Sequence, residues 1–313
     1  MSSIVFNPFM FVPGGSSQVG TQKAIFGFGS TGSASAITNL VSSSGVVAAD
    51  TAGVGTARDN ITASGYGEDK AIFGFGYAAS FSSISNLVSN SGVVASDTAG
   101  VGTARYALTA AMYGNDKAIF GYGQAPAGDS AISNLVSNSG VVASDTTGVG
   151  TARYLPAAAG YGGDKAIFGY GITSPGGATV VSMSNLVSNS GVIATDTTGV
   201  GTARYALAAA GYGGDKAIFG YGQAPAAGPA KSMTNLVSNS GVIASDTAGV
   251  GTARHSLAAA GYGNDKAIFG YGRIVSTSSA ITNLVSNSGV VASDVAGVGT
   301  ARRTLGAAGY SLS

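Results

Sequence analysis

Six aspartates, Asp50, Asp97, Asp145, Asp196, Asp246 and Asp294, each stand eight residues before an arginine: Arg58, Arg105, Arg153, Arg204, Arg254 and Arg302. Carboxylate and guanidinium at a fixed spacing can do one of two things. Six arginines can be displayed together to hold an anion or an acidic glycan, or each can be neutralised by its aspartate in a bidentate pair inside the fold. A matched aspartate for every arginine favours the second reading, with each pair pinning a tight loop between two strands. Lys70, Lys117, Lys165, Lys216 and Lys266 each follow an aspartate directly, at strand starts where a lysine is normally solvated.

The rest of the chemical vocabulary is sparse. The chain has no cysteine, no tryptophan and one histidine, His255, which excludes thiolate catalysis, disulfides and Cys-ligated zinc. His255 has no serine or cysteine partner signal nearby, and it occupies the position that Tyr106, Tyr154 and Tyr205 hold elsewhere, so a catalytic triad is not indicated. Gly27-Phe28-Gly29-Ser30-Thr31-Gly32 matches GxGxxG in form but lacks the following helix and the acidic residue that give that motif meaning. No acidic spacing fits a calcium loop. The reading is therefore a non-enzymatic protein with no catalytic, cofactor-binding or metal-binding residues.

Charge narrows the partners. Fifteen Lys plus Arg against 14 Asp plus Glu leaves no basic excess for nucleic acid or an anionic membrane. Mean hydropathy is positive, but no apolar run reaches the roughly 18–20 residues that a membrane span needs.

These charges belong to a repeat. Lys-Ala-Ile-Phe-Gly-(Phe/Tyr)-Gly begins at Lys23, Lys70, Lys117, Lys165, Lys216 and Lys266, and Thr-Ala-Arg ends at each of the six arginines. The spacing from Asn39 to Arg58 is 19 and is the same in all later copies, and Arg58 to Lys70 is 12 in every copy present. Only the Lys-to-Asn interval varies, as 16, 16, 17, 20, 19 and 17. All insertions thus fall in one loop per repeat, the pattern of a rigid scaffold with adjustable loops.

Each unit reads as four short strands punctuated by Gly and Asn-Ser-Gly: the Lys-Ala-Ile-Phe segment, Asn-Leu-Val-Ser, Gly-Val-(Val/Ile)-Ala, and the small-residue run after Thr-Ala-Arg. Tyr205–Ala210 has helix-forming residues, but the glycines close behind it favour a strand. Four strands in a unit of 40–50 residues predict an all-β, six-bladed β-propeller over residues 21–313. The last unit stops where its Lys-Ala-Ile-Phe strand would begin, and the first unit opens on that strand. A C-terminal strand joined to three N-terminal strands would complete the sixth blade and leave no open edge. Runs such as Ala208-Ala209-Ala210-Gly211 suit the crowded axis, and Ile25, Phe26, Ile72 and Phe73 suit the space between blades.

The order Arg-Tyr-x-Leu-Ala-Ala-Ala, a short turn, then Lys-Ala-Ile-Phe-Gly-Tyr-Gly resembles the kelch repeat, over Lys23 to Ser313. Kelch blades carry an arginine before a small-residue strand, then an aliphatic-aromatic strand ending in Gly-Gly. Here the double glycine becomes Gly220-Tyr221-Gly222, and the late Tyr and Trp of a standard kelch blade are missing. Regular Gly/Ala/Ser-rich kelch-like arrays of this kind look like those in bacteriophage virion and tail-fibre proteins. The resemblance implies a propeller fold and a virion component.

Two regions lie off the repeat. Residues 1–20 contain Phe6, Phe9, Met10 and Phe11 before the breaker Pro13-Gly14-Gly15. With no basic n-region the segment reads as an arm rather than a signal peptide. It either patches the edge of its own domain or docks on a partner, which would be another virion protein. The second region is the set of variable loops, which carry Tyr77, Phe81, Gln124, Asp129, Gln223, Lys231 and Arg273, with insertions at Pro126, Pro175, Pro225 and Pro229. Taken together they are the candidate binding face for a host-surface glycan or protein. A secreted or cell-surface, lectin-like propeller is the alternative to a virion part.

Overall fold

The computed structural model describes residues 21–174, 178–225 and 228–313. Phe6, Phe9, Met10 and Phe11 of the expected arm, and Pro175, lie outside the described residues. Every element among the described residues is a β-strand, and the strands form six three-stranded antiparallel sheets and two short hairpins. The first sheet contains Lys23–Gly27, Thr38–Val41 and Gly306–Tyr310; the second, Thr62–Tyr66, Lys70–Gly74 and Ser85–Val88. The third contains Thr109–Tyr113, Lys117–Gly121 and Ser133–Val136; the fourth, Ala157–Tyr161, Lys165–Thr173 and Thr179–Val187. The fifth contains Ala208–Tyr212, Lys216–Gly220 and Thr234–Val237; the sixth, Ala258–Tyr262, Lys266–Gly270 and Thr282–Val285.

Lys-Ala-Ile-Phe-Gly is the central strand each time, because β-branched and aromatic side chains fill a sheet covered on both faces. Ile25 and Phe26 point to opposite sides. Ile25 packs in a cluster with Phe73 of the second sheet, and Phe26 packs with Ile268 and Tyr271 of the sixth. The small-residue strand forms one edge of each sheet and lies beside its counterparts in the sheets before and after it. Gly306–Tyr310 lies between Ala258–Tyr262 and Thr62–Tyr66 in the same way. It pairs with Lys23–Gly27, from Lys23 opposite Tyr310 to Gly27 opposite Gly306. The expected joining of the C-terminal strand to the N-terminal sheet is therefore present.

Backbone bonds also tie the sheets at their tight turns. Gly67 N–H donates to the Asp116 carbonyl, Gly114 to Asp164, Gly162 to Asp215 and Gly213 to Asp265. Gly263 donates to Gln22 and Ser311 to Asp69, so the N- and C-terminal ends of the described chain take part in the same series. A second series links left-handed residues beyond the arginines: Ala107 N–H donates to Asn60, Leu155 to Ala107, Ala206 to Leu155, Ser256 to Ala206 and Thr304 to Ser256. All six have φ between 47° and 54°, a strained region for residues with a Cβ, and the donated bonds hold them there. They border a cavity of about 100 Å³ lined by alanines such as Ala63, Ala110 and Ala158.

The expected fourth strand is a correction. Gly-Val-(Val/Ile)-Ala meets the third strand only at isolated bridges, as Val47 to Val41 and Thr51 to Thr38 in the first sheet. The reason is a side chain standing in for the ladder: Asn39 Nδ2 donates to the Ala48 carbonyl at 3.0 Å and to Asp50 Oδ1 at 2.9 Å. Equivalent asparagine bonds occur at Asn86, Asn134, Asn185, Asn235 and Asn283. The strand-like alternation survives, with Val46 65% exposed and Val47 8%.

Sheets approach so closely that a methyl group has no room at the end of the central strand. A Cβ on Gly121 would stand 2.8 Å from the Phe168 ring tip of the fourth sheet, well inside van der Waals contact. Gly121→Ala is expected to destabilise the fold by about 1–3 kcal/mol through this overpacking, measured as a lower midpoint in denaturant unfolding. Alanine at Gly214, where nothing lies within 4 Å but φ is +79°, is expected to cost less, about 1 kcal/mol from its backbone alone.

Candidate functional site

The six arginines are buried to 0% exposure, and their partners differ from those that the eight-residue spacing suggests. Arg58 lies 3.5 Å from Asp97, not beside Asp50. Arg105 faces Asp145 at 3.6 Å, Arg153 faces Asp196 at 3.9 Å, Arg204 faces Asp246 at 3.5 Å and Arg302 faces Asp50 at 3.6 Å. The physical reason is the loop between each aspartate and the next arginine. It crosses from one sheet to the following one: a Cβ on Gly102, five residues past Asp97, would strike Asp145 and Asn134 of the third sheet. Each of these five aspartates therefore meets the arginine that opens its own sheet. For Asp50 that arginine is Arg302, from the far end of the chain.

Arg153 is held on every side. Arg153 Nε donates to the Tyr170 carbonyl at 2.9 Å, one terminal nitrogen donates to Thr151 O at 3.1 Å, and the other donates to Asn185 Oδ1 at 2.7 Å. Its guanidinium stands 4.1 Å above the centre of the Tyr122 ring of the preceding sheet. The same stacking places Arg58 over Phe28, Arg105 over Phe75, Arg204 over Tyr170, Arg254 over Tyr221 and Arg302 over Tyr271. Those rings belong to the Gly-(Phe/Tyr)-Gly element and sit at φ between 61° and 64°, which aims the ring at the next sheet. Cation–π attraction in a desolvated setting compensates part of the cost of burying the charge.

Burial pushes Arg58 and Arg105 down to about 10, against the raising effect of Asp97 and Asp145, and they remain charged at neutral pH. Burial pushes the Tyr170 and Tyr271 hydroxyls up to about 12, opposed by Arg204 and Arg302. For Asp196, burial alone would raise the carboxyl. Hydrogen bonds from Thr151 and Asn185, with the Arg153 charge, outweigh it and hold the group below its ordinary 3.8. The other five aspartates of the set behave alike. The lysines form a separate surface set, with Lys70 Nζ 2.7 Å from Asp69 and Asn90 Nδ2 3.1 Å from the same carboxylate. Where the first sheet lacks that aspartate it also lacks that asparagine, having Gln22 and Ser43 instead.

With the repeat charges absorbed in this way, the variable residues stand apart. At the end of each sheet away from its tight turn, three chain segments run side by side and put three residues in a cross-strand row. The rows are Arg303-Ser30-Ala34, Asp59-Tyr77-Phe81, Tyr106-Gln124-Asp129, Tyr154-Ile172-Val180, Tyr205-Gln223-Ala230 and His255-Arg273-Ser278. Tyr77, Phe81, Gln124, Asp129, Gln223 and Arg273, expected in variable loops, thus occupy equivalent places, and Lys231 follows directly on Ala230. The first member of each row comes from the residue after the buried arginine, which reasoning from the loops alone leaves out. The turns after the aspartates lie beside them, since a Cβ on Gly100 would meet Ser83 and Ile84.

The rows differ in chemistry around the face. Tyr77, Phe81 and Tyr106 form an aromatic cluster with ring centres 5.2–6.1 Å apart, and Tyr77 is 39% exposed. The Tyr106 hydroxyl donates to Gln124 Oε1. Asp129 ties the neighbouring loop, accepting from Ser174 N at 2.6 Å and Ser174 Oγ at 3.0 Å. His255, Arg273 and Arg303 make a basic sector on the sixth and first sheets. Among the described residues, no group of three or more His, Asp or Glu is placed to hold a metal ion, and no helix is long and apolar enough to cross a membrane.

No protein-family model matches the chain, and no curated protein sequence matches it.

Two outcomes follow from the arginine geometry. Arg153→Met keeps the volume but leaves Asn185 and Asp196 without their charged partner, and is expected to cost about 3 kcal/mol, read from denaturant unfolding. The six depressed aspartates bind fewer protons folded than unfolded at low pH, so their contribution is full above the unfolded value of 3.8 and is lost as pH falls through the lower folded values. Unfolding free energy measured from pH 7 to pH 2 is expected to stay level to about pH 5 and then fall steeply. Asp196→Asn is expected to make that fall shallower.

Proposed function

We propose that the chain is a kelch-like, six-bladed β-propeller that works as a non-enzymatic interaction scaffold in a phage particle and presents the six rows as its contact face. The observation that carries the reading is the contrast between scaffold and rows. Asparagine, aspartate and threonine repeat their contacts in all six sheets and arginine its bonds to asparagine and aspartate in five, while the rows at one end of those sheets repeat in position and not in chemistry. An enzyme needs a few groups brought to one reacting atom, whereas a broad face of unlike residues on a rigid frame suits contact with a surface. The neighbouring small-residue strands and the pairing of Gly306–Tyr310 with Lys23–Gly27 support the propeller. The kelch-like repeat supports the virion assignment, in which residues 1–20 attach the propeller to another virion protein.

Electron cryomicroscopy of particles from the source of this chain tests the reading. Six-bladed density on a capsid or tail, with the rows facing outward, is the expected result. Free monomers, with no trace of the chain on particles, would contradict it.

The Tyr77–Phe81–Tyr106 cluster favours a second reading, a lectin-like propeller, because aromatic faces beside hydrogen-bonding groups suit the mixed apolar and polar faces of a sugar. Under this reading the purified chain binds members of a glycan array, and Tyr77→Ala reduces that binding at least ~10-fold, in line with about 1.4 kcal/mol for a lost anchoring contact. Unchanged binding in Tyr77→Ala would remove the cluster from the contact.

A further inference from the structure

The basic sector is not explained by the scaffold. His255 and Arg273 are direct cross-strand partners, and Arg273 is in turn the partner of Ser278 across the hairpin Arg273–Ile274 and Thr277–Ser278. Side chains at directly opposed positions share one face of the ladder, about 5 Å apart. Arg303, from the neighbouring sheet, reaches the same place, donating from its guanidinium to Ser278 Oγ at 3.4 Å. Ser278 thus receives a bond from Arg303 and stands opposite Arg273, which in turn stands opposite His255, so two guanidinium groups and an imidazole gather at one row.

Like charges brought together need an opposite charge to offset them. Among the described residues neither Arg273 nor Arg303 has a carboxylate within ion-pair distance, although all five Asp-preceded repeat lysines have one at 3.1 Å or less and five of the six repeat arginines have one within 3.9 Å. Arg273 Nε is shielded from solvent and has no hydrogen-bond partner, as is also true of Nε in Arg58, Arg204 and Arg302. His255 engages Ser256 Oγ through Nδ1 at 2.9 Å, which leaves Nε2 as the ring atom able to meet a ligand. Burial first, and then the charges of Arg273 and Arg303, holds the imidazole below its ordinary value. None of the other five rows combines these groups.

We propose that His255, Arg273, Ser278 and Arg303 form a binding site for an oxyanion, the carboxylate or phosphate ester of an acidic saccharide. The planar guanidinium forks offer paired donors to two oxygens of such a group, and Ser278 Oγ and His255 Nε2 add single hydrogen bonds from the floor of the row. The site is independent of whether the chain is carried on a particle.

His255 is the only histidine, so its ring resonances report on this site alone. The full chain is titrated with sodium phosphate, with glucuronate and with glucose, at constant pH and ionic strength, while the His255 ring signals are followed by NMR. Saturable shifts with phosphate, with glucuronate or with both are expected, and which of them saturates identifies the anion; glucose is expected to shift nothing. Arg273→Gln with Arg303→Gln is expected to weaken the saturating binding about 10-fold or more, as two charge-assisted bonds are lost. The dispersion of the backbone amide spectrum checks that this variant is folded, and Arg273→Gln alone replaces it if it is not. Shifts that stay linear for both anions, or equal affinity in the folded variant, would overturn the proposal.

Discussion

Burial of a guanidinium group in each sheet is the constraint to which the rest of the structure answers. An arginine with no exposed surface must find partners for its donors and a ring for its face, and no single sheet supplies both. Arg153 donates hydrogen bonds to the Tyr170 carbonyl, to Asn185 Oδ1 and to its own loop, and finds its stacking partner, Tyr122, in the preceding sheet. The arginine thereby sets the distance between sheets, and that distance leaves no space for a side chain at Gly121. The aromatic residue between the two glycines must turn into the left-handed region to reach the next arginine. These requirements account for the unvarying intervals of 19 and 12 residues and for the confinement of length changes to the one remaining segment.

Much of the frame was legible in the sequence because it depends on local residue type and on repetition. β-Branched and aromatic runs bounded by glycine gave strands, small-residue runs gave the edge strand, and the incomplete first and last units pointed to the pairing of Gly306–Tyr310 with Lys23–Gly27. The partner of each aspartate was not legible. Every copy carries the same residues, so Asp97 is equally well matched by sequence to Arg105 and to Arg58, and only the path of the loop decides. The fourth strand was misjudged because pattern cannot show that an asparagine side chain has taken the carbonyl a ladder would use. For the separate lysine set one signal did exist: Gln22 and Ser43 together replace, in the first unit, the aspartate and asparagine that touch as Asp69 and Asn90 in the second.

The candidate face was legible as a set of loops but not as rows. A cross-strand row depends on register, and its first members, among them Asp59, Tyr106, His255 and Arg303, follow the arginine at a position that looks like part of the scaffold. The charges within the rows are unevenly distributed: Asp59 and Asp129 lie with the aromatic cluster, while Arg273 and Arg303 lie with His255. On the proposed reading, a frame fixed by buried polar contacts leaves these rows free to differ, since changing them disturbs no arginine. Stability and contact are then served by different residues of the same short repeat.

Each buried arginine couples its sheet to its neighbours. Hydrogen exchange of backbone amides in Arg302→Met, compared with the unaltered chain, tests this most directly, because Arg302 joins Asn39 and Thr300 of the first sheet to Tyr271 of the sixth. Faster exchange is expected in the first sheet and in both its neighbours, the second and the sixth. Loss of protection confined to the residues that touch Arg302, with both neighbouring sheets unchanged, would contradict it.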